Sequence, residues 1–83
     1  MNRNDISQAL QDIFRDILGR PDLVLTDALS AVEVPEWDSF THISLIGTIE
    51  KHYRIRFALG ELDELKNVGD LVTAVEEKLA RQA

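Results

Sequence analysis

The sequence predicts a small all-α domain spanning residues 1–83: a four-helix bundle of three main helices and a short third one, with a long loop between helices one and two. Three observations predict it. Apolar residues recur at helical spacing in three separate segments. Helix stops and starts punctuate the chain between them, with Gly19 and Pro21 after the first, Asp38 before the second and Asn67 before the last. Strand signals are weak, since Val32-Glu33-Val34 is too short and is closed by Pro35. At 83 residues the core is thin, so nearly every large apolar residue is needed for it.

The first helix is expected over Asn4 to Leu18, capped by Asn4, with Ile6, Leu10, Ile13 and Ile17 as its inner stripe and Ala9, Phe14 and Leu18 widening it. The connection from Arg20 to Asp38 carries Leu23, Val24, Leu25, Leu29, Val32 and Val34, too many apolar residues for a free linker. These side chains are expected to insert into the bundle, with a short turn at Thr26-Asp27. A loop of this length in so small a domain is often functional; it also has to span two bundle ends. The second helix runs from Ser39 to about Arg54. Ile43, Leu45, Ile46, Ile49 and Tyr53 form one arc that includes His42, and Thr41, Ser44, Thr48 and Lys51 form the opposite face, with Phe40 and Gly47 flanking it. A short helix is expected over Gly60 to Leu65, with Phe57, Leu59, Leu62 and Leu65 as anchors. The last helix runs from Val68 to about Arg81, started by a capping-box variant at Asn67-Val68-Gly69-Asp70 and turning Leu71, Val72, Val75 and Leu79 inward.

Composition excludes several functions. There is no cysteine, hence no disulfide, thiolate metal site or cysteine nucleophile. The net charge of −6 argues against nucleic acid, whose phosphates require clustered Lys and Arg. No run is long enough to span a membrane and no signal-peptide pattern opens the chain, so the reading is a cytoplasmic protein. The charge is unevenly spread. From Ser39 to Phe57 the only acid is Glu50, against Lys51, Arg54 and Arg56, so this stretch is net +2. His42 and His52 lie ten residues apart with no third ligand at a useful spacing, so no metal site is expected.

Chemistry concentrates at Asp38-Ser39. Asp38 suits an N-cap, and Ser39 then opens an apolar helix with its hydroxyl at the rim. A phosphate ester on Ser39 would sit beside free N–H groups and the positive end of the helix dipole. The plainer alternative is a serine that merely begins a helix. No base is evidently placed to activate the hydroxyl, so a hydrolytic triad is not expected. Phe40, beside Ser39, is either a docking point or a partly buried helix-start residue.

These features together resemble the acyl carrier protein family, including peptidyl and D-alanyl carriers, over about residues 6 to 80. The resemblance rests on the amphipathic first helix, the apolar loop with Leu29, the Asp38-Ser39 start followed by Ile43, Leu45, Ile46 and Ile49, and the ending Leu65-Lys66-Asn67-Val68-Gly69-Asp70-Leu71-Val72. Trp37 and Phe40 around that start resemble discrete carriers of specialised pathways. The resemblance implies an acidic, non-catalytic phosphoprotein carrying a covalent 4′-phosphopantetheine on Ser39, added by a phosphopantetheinyl transferase from coenzyme A, with Asp38 capping the helix and aiding recognition by that transferase. Acyl or aminoacyl groups would ride on the arm as thioesters, loaded by a ligase or synthase and passed between biosynthetic enzymes.

The second helix departs from the usual family pattern. Positions that are commonly acidic are Thr41, Ser44 and Lys51 here, with only Glu50 retained, and Gly47 replaces a larger apolar residue. Enzymes of a dedicated pathway, reading Phe40, Thr41, Ser44, Gly47 and the loop's apolar residues, are therefore the expected partners. The expected state is a monomer, and Met1 together with the ending Arg81-Gln82-Ala83 favours a free-standing protein. The alternative function is a helical interaction module without a cofactor; a small enzyme is the third reading.

Overall fold

The computed structural model describes residues 2–62 and 65–82, without the side chains of Leu59, Leu62 and Gln82. Its order is α1 (Arg3–Leu18), a 3-10 turn (Ala31–Glu33), α2 (Ser39–Tyr53), α3 (Leu59–Leu62) and α4 (Val68–Gln82). Among the described residues there is no strand, and no helix is long and apolar enough to cross a membrane. The all-α reading, with three main helices, one short one and a long first loop, holds.

Helix α1 begins earlier than expected. Asn2, not Asn4, is its cap, accepting the Asp5 N–H at 2.9 Å. It ends where expected: Gly19 takes the left-handed conformation at φ 66°, which glycine adopts without a Cβ clash. The buried stripe is Ile6, Leu10, Phe14 and Leu18, while Ala9, Ile13 and Ile17 are only half-buried. Strict four-residue spacing drifts around the helix by about 40° per step. The stripe therefore slants across the face, which lets α1 pack against both α2 and α4.

The long loop is held against α1 by polar side chains of that helix. Arg15 donates from Nε to the Leu23 carbonyl at 2.7 Å, and Gln11 Oε1 accepts the Leu25 N–H at 3.0 Å. Four helical residues rise about 6 Å and two extended residues about 6.6 Å, so the two segments run side by side in register. Leu23 and Val34 are buried and Leu25 and Leu29 half-buried, as expected of an inserting loop. Val24 and Val32 do not insert: Val32 is 94% exposed at the tip of the 3-10 turn and Val24 also faces solvent. In an extended segment alternate side chains point opposite ways, so Leu23 and Leu25 inward puts Val24 outward. The turn at Thr26-Asp27 forms, with Leu29 N–H bonded to the Thr26 carbonyl at 3.1 Å.

Helix α4 closes the bundle. Its Val68 and Gly69 N–H groups are taken by the Leu29 and Asp27 carbonyls of the loop, both at 2.9 Å, rather than left to water. Arg3 joins the same region, donating to Glu76 at 2.8 Å, Thr73 at 3.0 Å and the Gly69 carbonyl at 3.3 Å, with Asp27 at 3.4 Å. Asn67 caps α4 through the Asp70 N–H at 2.8 Å. The return contact of the expected capping box goes to Lys66: Asp70 accepts the Lys66 N–H, not that of Asn67. Val68, Leu71, Val72 and Val75 are buried and Leu79 is half-buried.

Between α2 and α4 the chain is held by buried Ile55 and half-buried Phe57 and Leu65, together with polar contacts. Glu50 accepts the Phe57 N–H at 2.8 Å, and Lys78 bridges to Glu61 at 2.8 Å while lying 5.4 Å from the Phe57 ring. Helix α3 starts one residue before the expected Gly60, and Leu65 lies outside it. The part of that expected helix over residues 63–64 lies outside the described residues, as do the side chains of the expected anchors Leu59 and Leu62.

Candidate functional site

Two residues before α2 the chain is anchored. The Trp37 indole is buried and meets the Phe14 ring of α1 edge-on, with centroids 5.0 Å apart. Its Nε1–H donates to Nδ1 of His42 at 3.0 Å, and the two rings stack at 23°. The loop end, α1 and α2 are thus locked together beneath residue 38. His42 is half-buried as a result; burial alone pushes its pKa below the usual imidazole value. His52 is exposed.

From this anchor Asp38 starts α2. Its Oδ1 accepts the N–H groups of Phe40 at 3.0 Å and Thr41 at 2.9 Å. Thr41 completes a capping box: its Oγ1 accepts the Asp38 N–H at 2.9 Å and donates to the Glu36 carbonyl at 2.8 Å. The Thr41 N–H above all, then the Thr41 hydroxyl and the Phe40 N–H, hold the Asp38 carboxyl below its ordinary range. Asp38 as the cap is what the sequence predicts. Thr41 as its reciprocal partner is not, because a threonine stands where glutamate or glutamine usually does.

Ser39 follows as the first residue of α2 and is exposed. Among the described residues none is hydrogen-bonded to its hydroxyl. It borders a hollow of about 560 Å³ lined by Trp37, His42, Ile43, Leu65 and Lys66 among others. The expected cluster of free N–H groups around it is smaller than predicted, because Asp38 already occupies those of Phe40 and Thr41. A phosphate ester on Ser39 would adjoin the Asp38 carboxylate rather than an open amide cradle. The site suits a covalent tether, with Lys66 the cation in the adjoining hollow. Of the residues around the hollow, His42 has its Nδ1 engaged by the Trp37 indole. Among the described residues no group of three His, Cys, Asp or Glu side chains is arranged to hold a metal.

Of the predicted surface residues, Phe40 is 85% exposed, and Ser44 and Gly47 are exposed on the same outward side of α2. Thr41 does not join them; it is half-buried and occupied by the cap. Ile43, expected in the buried arc, is 73% exposed. At 40° from Ser39 on the helical wheel it borders the hollow instead of the core. That angle is the signal in the sequence that places Ile43 with the site. The buried arc is carried by Leu45, Ile46, Ile49 and Tyr53.

The comparisons with known proteins fit this geometry. The family described as "Phosphopantetheine attachment site" matches residues 8–75. Among solved structures, the chain is similar to a holo acyl carrier protein from Geobacter metallireducens, determined by solution NMR. The two share 50% identity and a TM-score of 0.87, over 92% of this chain and 87% of that one. No curated protein matches the chain at a significant level.

Proposed function

The chain belongs to the acyl carrier protein family, and from that premise we propose that Ser39 is the residue that bears its arm and that acyl or aminoacyl groups travel on it as thioesters between enzymes of one biosynthetic pathway. Members of this family are carriers, not catalysts, and their cofactor is a covalently attached phosphopantetheine. The group supplies a terminal thiol, and with it thioester chemistry that a chain without cysteine lacks.

The observation that carries the assignment to Ser39 is its exposure at the capped start of α2, with no hydrogen-bond partner for its hydroxyl among the described residues. A transferase has to reach that oxygen, and nothing in the fold needs it. Transfer from coenzyme A forms a phosphodiester at Ser39 Oγ, breaks the pyrophosphate bond of coenzyme A and releases adenosine 3′,5′-bisphosphate. Asp38 keeps the first turn of α2 wound, so the oxygen projects from a fixed point while the arm swings from it. Tethering raises the effective concentration of the cargo at each enzyme the arm reaches. Phe40, Ser44 and Gly47 form the surface those enzymes read, with Thr41 holding the turn from which it projects.

Intact mass decides this. After incubation with a broad-specificity phosphopantetheinyl transferase and coenzyme A, the protein is expected to gain one phosphopantetheine, and Ser39→Ala is expected to gain none while remaining folded. A folded protein that gains nothing, or a variant that gains as much, would overturn the assignment.

A further inference from the structure

Gly47 has no structural reason to be glycine. It lies in the middle of α2, its φ is not positive, and a Cβ built on it meets no atom within 4 Å. A glycine inside a helix carries a cost in helix propensity. The missing side chain opens the surface instead, because two hollows adjoin at this residue. One, of about 340 Å³, is lined by Ile43, Ile46 and Phe57 together with His42, Glu50 and Arg56. The other, of about 510 Å³, is lined by Lys51, Arg54, Ile55 and Arg56, with Glu50 the one acid among them. An apolar recess and a cationic one therefore share an edge.

The charge of this edge opposes that of the chain. The protein is net −6, yet Lys51, Arg54 and Arg56 are all exposed here. Glu50, the one acid between Ser39 and Phe57, turns a carboxylate oxygen to the Phe57 N–H. Among the described residues no acid forms an ion pair with Lys51 or Arg56. We propose that this side of α2 is a docking surface for an acidic patch on a partner enzyme: an apolar partner side chain enters the recess over Gly47 between Ile43, Ile46 and Phe57, and partner carboxylates meet Lys51 and Arg56. The proposal rests on the carrier reading, since it assigns the kind of enzyme surface that the carrier meets. A compact patch is favoured over an extended anionic surface such as a membrane. The cations occupy one end of one helix, and a broad negative surface would repel the rest of an acidic chain.

The test is a titration of the isotope-labelled protein, followed by amide chemical shifts, with three probes: a peptide carrying leucine flanked by glutamates, the same peptide with lysines in their place, and phosphatidylglycerol vesicles. The glutamate peptide is expected to shift Ile43, Gly47, Lys51 and Arg56. Its affinity is expected to fall about tenfold, the effect of one lost anchor, in Gly47→Leu, which fills the recess, and again in the exposed pair Lys51→Glu/Arg56→Glu. The lysine peptide and the vesicles are expected to leave α2 unchanged. Equal binding of the lysine peptide, capture by vesicles, no shift on α2, or unchanged affinity in both variants would overturn the proposal. Mass gain at Ser39 is read separately. A chain that takes the arm but ignores the glutamate peptide refutes the docking surface alone, and a chain that binds the peptide but never takes the arm refutes the attachment site alone.

Discussion

Replacing Gly47 by alanine is expected to make the protein more stable, and replacing Gly69 by alanine less stable, although both glycines are in helices. At Gly47 the added methyl meets no atom within 4 Å, so nothing offsets the gain in helix propensity. That gain is about 0.5–1 kcal/mol. For a domain of this size 1 kcal/mol moves Tm by about 4–8 °C, so a rise of about 2–8 °C follows. At Gly69 a Cβ would lie 3.1 Å from both the Cβ and the carbonyl oxygen of Asp27. That carbonyl already accepts the Gly69 N–H at 2.9 Å, so relieving the overlap stretches the bond that ties the loop to α4. Gly69 is also in the first turn, where propensity counts for little. A loss of about 1 kcal/mol, the net worth of one hydrogen bond, is expected. Urea unfolding followed by helical circular dichroism measures both. Two changes of the same sign, or a Gly47→Ala variant no more stable than the parent, would refute the reasoning from open and closed space around these residues.

Phe14 is fully buried and Phe40 is 85% exposed. Phe14→Ala should cost about 3–5 kcal/mol, a large share of the roughly 4–12 kcal/mol available to 83 residues, whereas Phe40→Ala should stay within about 0.5 kcal/mol in the same unfolding assay. The lowered pKa of His42 gives a pH dependence of definite sign. The unfolded chain takes up the proton first, so stability is full above about 6.5 and declines as pH falls from there toward the folded value. Asp38 and Glu61, whose carboxyls are held below their ordinary range, lose their contributions only as pH falls further, below about 4. Urea midpoints between pH 7.5 and 4.5 should therefore fall in the parent and much less in His42→Gln.

How much the sequence discloses depends on whether local chemistry or the crossing of distant segments decides the outcome. Gly19 stops α1 and Asp38 starts α2 through their own backbone and side-chain chemistry, and both are legible. The start of α1 is less so, because asparagine at position 4 suits a cap by residue type and only the folded chain shows the Asp5 N–H bonded to Asn2 instead. Val24 and Val32 are as hydrophobic as their buried neighbours in the loop. Which of them is covered depends on the path of the loop, set by Arg15 and Gln11 holding the carbonyl of Leu23 and the N–H of Leu25. At the site, Ser39 and its cap are visible in the residues alone. The Trp37–His42 bond and its seat on Phe14 are not, because they join a loop to two helices.

The clasp between α4 and the loop has a consequence for synthesis. The Asp27 and Leu29 carbonyls find their partners in Gly69 and Val68, and the Arg3 guanidinium, apart from its contact with Asp27, finds its partners in Gly69, Thr73 and Glu76. A ribosome that has made everything up to Lys66 has made α2 and Ser39, the proposed attachment point, yet holds a chain whose first helix still lacks one of the two helices it packs against. Such a nascent chain exposes Ile6, Leu10 and their neighbours until translation passes the last helix. Modification enzymes that require the assembled bundle would then meet their substrate only once the last helix has been made, so the order of events in making this carrier is set by where its clasp lies along the chain.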